Sequence, residues 1–243
     1  MKRLIRFVTI TALAMNGAAT LPVYAQEQDE DETAVATHMH EHLERITEIK
    51  SMIVMGNLDG VREPAAWLAD HETAPGLPAN FESYVGLMRE YAREVNNATD
   101  LKTAAIAVSQ MAKTCSNCHL VNGVEIEFGY DQVPEEWADT VSHMQRHLWA
   151  ADRLWEGLIG PSDTAWSRGT NMLVDVPLHP EDVAGEDLSD ADREVLDYLE
   201  RRIHVLAAQG ANARTPSDRA EFYGEMLGEC AECHVRLGRG PGQ

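Results

Sequence analysis

Apolar residues recur with a helical period along most of the chain. Met39, His42, Leu43, Ile46, Ile49 and Ile53 share one face over 35–55. A shorter segment over 58–70 carries Pro64, Trp67 and Leu68, and 81–95 holds Phe81, Tyr84, Leu87, Met88, Tyr91 and Val95. Asp100 opens a further helix through Leu101, Ala105, Val108 and Met111. The spacing predicts the same series again near 135–159, 164–175, 190–208 and 216–236. The last of these begins with Thr215 as N-cap, Pro216 at N1 and Asp218 at N3, a helix start with an acid in the first turn. No stretch alternates apolar and polar residues for long enough to make a strand. The expected fold is all-α, as two tandem antiparallel four-helix bundles of ~100 residues each.

Internal repetition supports the division. His38-Met39-x-x-His42-Leu43 returns as His143-Met144-x-x-His147-Leu148, an offset of 105 residues. At that offset Leu68 and Asp70 match Leu173 and Asp175, and Ile46, Ile49 and Ile53 match Ala151, Leu154 and Leu158. Further on the offset becomes 115, where Ala105 and Met111 match Ala220 and Met226. The extra ten residues are expected around Pro177 to Asp187, a Pro/Gly/acidic loop. The chain reads as two homologous halves.

The first residues read as an address. Lys2, Arg3 and Arg6 precede an apolar run from Phe7 to Leu21, and Val23-Tyr24-Ala25 offers a cleavage site before Gln26. This is the pattern of a secretory signal peptide. As a membrane anchor the run is short for a ~20-residue span and is interrupted by Thr, Asn and Gly. The implied boundaries are signal peptide 1–25, acidic N-terminal tail 26–34, first bundle 35–125, linker 126–134, second bundle 135–238 and tail 239–243. Cleavage would take the formal charge from −20 to −23, in a periplasmic or secreted protein that does not span a membrane. Forty acidic against twenty basic side chains exclude a nucleic-acid binder, which needs a basic footprint. They favour partners with basic docking surfaces.

The four cysteines form two identical motifs, Cys115-Ser116-Asn117-Cys118-His119 and Cys230-Ala231-Glu232-Cys233-His234. Each is C-x-x-C-H, the attachment pattern for c-type haem. Two thiols on one short stretch can add to the two vinyl groups of one haem, and the adjacent histidine then lies under the iron. Cys115, Cys118, Cys230 and Cys233 are therefore the covalent haem anchors, with His119 and His234 as proximal ligands, for two haem c per chain. Two disulfides, one four-thiolate zinc or a thioredoxin-like redox pair would use the same thiols. None explains a histidine after both pairs, and the two pairs lie 115 residues apart, far beyond the usual ~15–20 for zinc.

Each motif stands at the end of its half, on the last of four helices. In this the chain resembles the class II c-type cytochromes, cytochrome c-prime and its Met-ligated low-spin relatives. Met111-Ala112-Lys113-Thr114-Cys115-Ser116-Asn117-Cys118-His119 is similar to that family's final helix. The resemblance spans roughly 35–122 and 138–238. It implies a haem between the helices of each bundle and a sixth position faced by a residue of the first helix. The family is usually a single bundle, whereas this chain has two. Met39 and His42, like Met144 and His147, stand at i and i+3 on one helix face. Both residue types ligate haem iron. The low-spin relatives place Met where Met39 and Met144 stand; His42 and His147 are the other candidates, and an open site is the third. His38 and His143 lie about 100° round the helix from the methionines and are expected to cap or to face solvent. His40, His71, His179 and His204 have no repeated partner, and Trp67, Trp137, Trp149, Trp155 and Trp166 are expected to pack haem edges and core.

The expected function is single-electron transfer between redox partner proteins, without enzymatic turnover. The alternative is c-prime-like binding or sensing of NO or CO at an open haem. A peroxidase, with His42 or His147 giving acid/base help, is third. A dimer is compatible with this reading.

Overall fold

The computed structural model describes residues 23–74, 77, 79–129, 132–135, 140–174 and 188–238. Among them every regular element is helical, and no strand occurs. The first half supplies α1 (Val23–Val54), α2 (Arg62–Asp70), α3 (Glu82–Asn97) and α4 (Leu101–Asn122). The second supplies α5 (Thr140–Ile159), α6 (Asp163–Val174), α7 (Asp190–Gly210) and α8 (Pro216–Leu237). Single 3-10 turns, Asp59–Val61 and Ala79–Phe81, lead into α2 and α3. None of these helices is long and apolar enough to cross a membrane.

Local chemistry sets several helix starts. The Asp100 carboxylate accepts the Thr103 N–H at 2.8 Å at the head of α4, and Ser189 accepts the Asp192 N–H at the head of α7. At α8, Thr215 and Asp218 close a reciprocal capping box with Pro216 just inside. Each such cap satisfies an amide that the helix itself leaves without a partner. One start differs from expectation. α1 begins at Val23, so the acidic stretch 26–34, read from sequence as a tail, continues the helix. Glu and Gln are good helix formers, and nothing in the stretch breaks a helix. The charged and apolar leader at 1–22, Trp137, the inserted loop with His179, residues 130 and 131 of the linker, and the tail 239–243 lie outside the described residues.

In the first half α1 packs on α2 and α4, and α3 packs on the same two helices. In the second, α5 packs on α6 and α8, and α7 on those two. The most extensive helix–helix interface joins α4 to α8, the two C-x-x-C-H helices. There Gly224 lets the backbones close: a Cβ on it would stand 3.2 Å from Ile106 Cα and 3.3 Å from the Ser109 side chain. Ser109 and Gly224 are equivalent at the 115-residue offset. The two helices thus meet at matched positions, as self-complementary surfaces do.

The halves share one interior. A single cluster of buried apolar residues runs from Ile46, Ile49 and Ile53 through Val108 and Met111 to Leu154, Leu158, Tyr223 and Leu227. Trp155 Nε1 donates to Thr47 Oγ1 at 3.2 Å, and Lys50 pairs with Asp152, so α1 and α5 are tied side to side. Each fully buried Leu or Ile stabilises by roughly 1.5–3 kcal/mol relative to exposure. That sum fixes the two motif helices against each other.

Candidate functional site

Cys115, Cys118 and His119 stand at i, i+3 and i+4 on α4, so the helix turns all three to one side. Cys230, Cys233 and His234 do the same on α8. All four cysteines are free thiols. Burial, followed by the neighbouring thiol, pushes Cys115 up to about 12. Burial pushes Cys230 to about 12 and Cys233 to about 11, with Glu200 adding to both. Such groups stay protonated at neutral pH, unlike thiolate metal ligands.

The two motif histidines are anchored crosswise. His119 Nδ1 lies 2.9 Å from the carbonyl oxygen of Ile159, the last residue of α5. His234 Nδ1 lies 2.5 Å from the carbonyl oxygen of Val54, the last residue of α1. A carbonyl only accepts, so each ring carries its proton on Nδ1 and leaves the lone pair on Nε2. Val54 and Ile159 are equivalent at 105 residues, His119 and His234 at 115, so one contact is the copy of the other. Helix-end carbonyls lack intrahelical partners, and here the opposite half supplies one. Gly56 makes room for the second contact. Its φ is +73°, and a Cβ would come 2.6 Å from Val235 Cγ2, next to His234.

His42 on α1 and His147 on α5 are the second matched pair. Nε2 of each is buried and has no hydrogen-bond partner. Burial, then the nearby His38, His71 and Arg89, lowers His42 to about 3. Burial lowers His147 to about 3, with His143, His204 and the motif histidine His234 adding to the fall against the opposing Glu200. Both rings are neutral, with a lone pair available. A small cavity of about 20 Å³ lies in the second half, lined by His147, Leu173, Ile203, Tyr223, Met226 and Cys230 among others. It thus brings a motif cysteine of α8, Cys230, and His147 of α5 to one apolar space. Met39 and Met144 are half-buried one turn earlier on the same helices, and Met144 does not line the cavity.

Around these histidines the structure gathers residues that the sequence reading set aside. His38, His42 and His71 bring ligand atoms within 4.8 Å of one another, as do His143, His147, Glu200 and His204. These are groups that could hold a metal ion. His38 Nδ1 and His71 Nε2 are 3.3 Å apart, and Trp67 stacks on His71 with ring centroids 3.7 Å apart. Glu200 Oε1 accepts from His143 Nε2 at 3.0 Å and from His204 Nε2 at 3.1 Å, and lies 3.9 Å from His147 Nε2. Burial alone would raise the Glu200 carboxyl, but the two imidazole hydrogen bonds hold it well below the usual range. His38 and His143, expected to cap or face solvent, are instead half-buried members of these clusters. His71 and His204 belong to them as well. Glu200 had one sequence signature: it interrupts the apolar stripe Leu196, Leu199, Ile203 of α7.

Comparison with protein-family models, with curated proteins and with solved structures gives no match.

Proposed function

We propose that the chain is an exported dihaem c-type cytochrome, built as two class II-like four-helix bundles, that carries single electrons between redox partners. One observation carries the reading. In both halves a histidine next to two helix-borne cysteines has its Nδ1 committed to a carbonyl, and in both a second, buried histidine has an Nε2 without a hydrogen-bond partner. A buried, unpaired imidazole nitrogen is costly unless something binds it. That this occurs twice, at equivalent residues, supports a ligand absent from the protein's own polar groups. The residues present fit haem: paired thiols, an oriented proximal imidazole, an apolar cavity bordered by Cys230, and a lone pair at His147.

When bound, haem supplies an iron that takes up and gives back one electron. Cys115 and Cys118, and Cys230 and Cys233, would anchor it as thioethers. His119 and His234 would hold the iron through Nε2. The unpaired Nε2 atoms favour His42 and His147 over Met39 and Met144 as sixth ligands. The Ile159 and Val54 carbonyls orient the proximal rings and raise their basicity. Leu173, Ile203, Tyr223 and Met226 keep water from the cavity in the second half. The ring of helix contacts in each half supports the two-bundle description, and the acidic balance supports docking on basic partners.

The test is an absorption spectrum of the purified exported protein, oxidised and reduced, before and after carbon monoxide, with haem stoichiometry. Two haems per chain with low-spin bands unmoved by carbon monoxide are expected. Cys115→Ala with Cys118→Ala should leave one haem. A methionine–iron charge-transfer band would return the sixth position to Met39 and Met144. High-spin bands that shift with carbon monoxide would replace the electron carrier with a gas-binding protein. Two haems retained in the Cys115/Cys118 variant would refute the first site.

A further inference from the structure

The two halves repeat each other's ligands but not the charges around them. α3 and α7 keep register at the 115-residue offset: the buried Met88 and Ala92 match the buried Ile203 and Ala207. In that register Val85 stands where the second half has Glu200, and Arg89 where it has His204. On the motif helices Thr114 stands opposite Glu229, and Lys113 opposite Gly228.

These exchanges fall at the sites themselves. The Glu200 side chain is 9% exposed and sits 3.9 Å from His147 Nε2. Its charge is felt at Cys230 and Cys233, and that of Glu229 at Cys230. In the first half the guanidinium of Arg89 donates to the His71 carbonyl oxygen, and its charge is felt at His38 and His42. Glu232 is felt at Cys233 as well, and Arg236 pairs with it at 2.8 Å. Exchanges also run the other way, Glu41 for Arg146, Glu48 for Arg153, Glu63 for Arg168 and Ala104 for Arg219. Arg153 is paired with Glu156 and Arg219 with Asp163, and Glu41, whose charge is felt at His38, is exposed to solvent that screens it. A fixed buried charge acts far more strongly than a surface one. Negative charge favours the oxidised, more positive iron, and positive charge favours the reduced one.

We propose that Glu200 and Glu229 make the second half the weaker holder of an electron and Arg89 makes the first half the stronger. An electron shared by the chain then resides in the first half. This rests on the dihaem reading above. In the internal step one electron leaves the second-half iron, which is oxidised from ferrous to ferric. The first-half iron is reduced from ferric to ferrous, and no proton or bond changes hands. Glu200 is a positioning and charge-setting residue here. Its Oε1 is already engaged by His143 and His204, which argues for a held carboxylate and against a metal ligand.

The experiment is a spectroelectrochemical titration of the haem-loaded full chain. Two one-electron waves are expected, separated by at least tenfold in the internal equilibrium constant, which is 59 mV for one electron. Cys230→Ala with Cys233→Ala should retain the upper wave. Glu200→Gln, which keeps hydrogen-bond acceptors for both imidazoles, should raise the lower wave alone. Arg89→Gln should lower the upper wave alone. Neither should alter the low-spin bands. Coincident waves, an upper wave that moves in Glu200→Gln, or a lower wave retained in the Cys230/Cys233 variant would overturn the proposal. So would one equivalent of divalent metal per chain in the purified protein, since it would cancel the Glu200 charge. Haem present with coincident waves refutes only this inference. Protein isolated without haem refutes the function and the inference together.

Discussion

The ion pair between Lys50 and Asp152 joins the first helices of the two halves, and its members are unequal. The Lys50 side chain is 6% exposed and that of Asp152 is 41% exposed. Two unit charges ~4 Å apart attract by about 4 kcal/mol at an effective dielectric near 20. Solvent on the Asp152 side removes roughly half of this. Asp152→Ala leaves the ammonium buried, with the Trp155 ring 6.0 Å away as its remaining contact. Stripping one partner from a buried pair costs ~3–5 kcal/mol. Because Asp152 is half in water, about 2–3 kcal/mol is expected here. Lys50→Met removes the buried charge and keeps the apolar stem, while Asp152 turns to solvent. It should change stability by less than about 1 kcal/mol. Asp152→Ala placed on Lys50→Met should then cost almost nothing. Urea unfolding followed by far-ultraviolet circular dichroism reads this out, with a midpoint shift on the order of 1 M for Asp152→Ala alone. Equal losses for the two single variants would refute the argument that burial of Lys50 sets the cost.

Three further outcomes are expected. Burial holds His42 and His147 at about 3, below the ~6.5 of an unfolded chain. The unfolded state therefore takes up protons first, so the stability from keeping these rings neutral is full above pH 6.5. It is lost as pH falls towards 3, by up to about 1.4 kcal/mol per pH unit for each ring. Between pH 6.5 and 4.5 the wild-type urea midpoint should fall more steeply than that of the His42→Leu/His147→Leu double variant, and parallel slopes would contradict this. Thr215→Ala, which opens the capping box of α8, should cost ~1 kcal/mol in chemical denaturation, and no loss would remove the box from the stability of that helix. Gly56→Ala forces a side chain onto a φ of +73° and against Val235. It should cost about 1–2 kcal/mol, whereas an unchanged melting temperature would show that the α1–α8 approach is slack.

Helices were legible where one chain segment carries the whole pattern. The starts at Asp100 and Thr215 follow from residues three apart, and the apolar period located α3, α4 and α6 to α8 within a few residues. The repeat at 105 residues pairs Met39 with Met144 and His42 with His147. What the sequence hid comes from elements that meet only in space. Glu200 and His204 reach His143 from a different helix, and the meeting depends on how α5 and α7 face each other across the interior. His71 joins His38 only because α2 ends beside α1, with Trp67 stacked behind it. The carbonyl acceptors of His119 and His234 belong to residues 40 and 180 positions away, and no local pattern encodes them. The early start of α1 was missed because an acidic run is compatible with both a tail and a helix.

The crossed carbonyl contacts also bear on how the molecule is made and taken apart. Neither histidine is finished by its own half: His119 waits for the end of α5 to be synthesised, and His234 closes back on a helix made at the start. A ribosome that has released only the first half presents a C-x-x-C-H motif whose imidazole is still free to turn. Cutting the connection between α4 and α5 while the halves stay together would leave both contacts intact, but separating the pieces would loosen both histidines at once. Two copies of one half would meet the same need by pairing with each other. The tandem chain is in this sense a dimer written on one strand, in which neither partner can be lost by dilution.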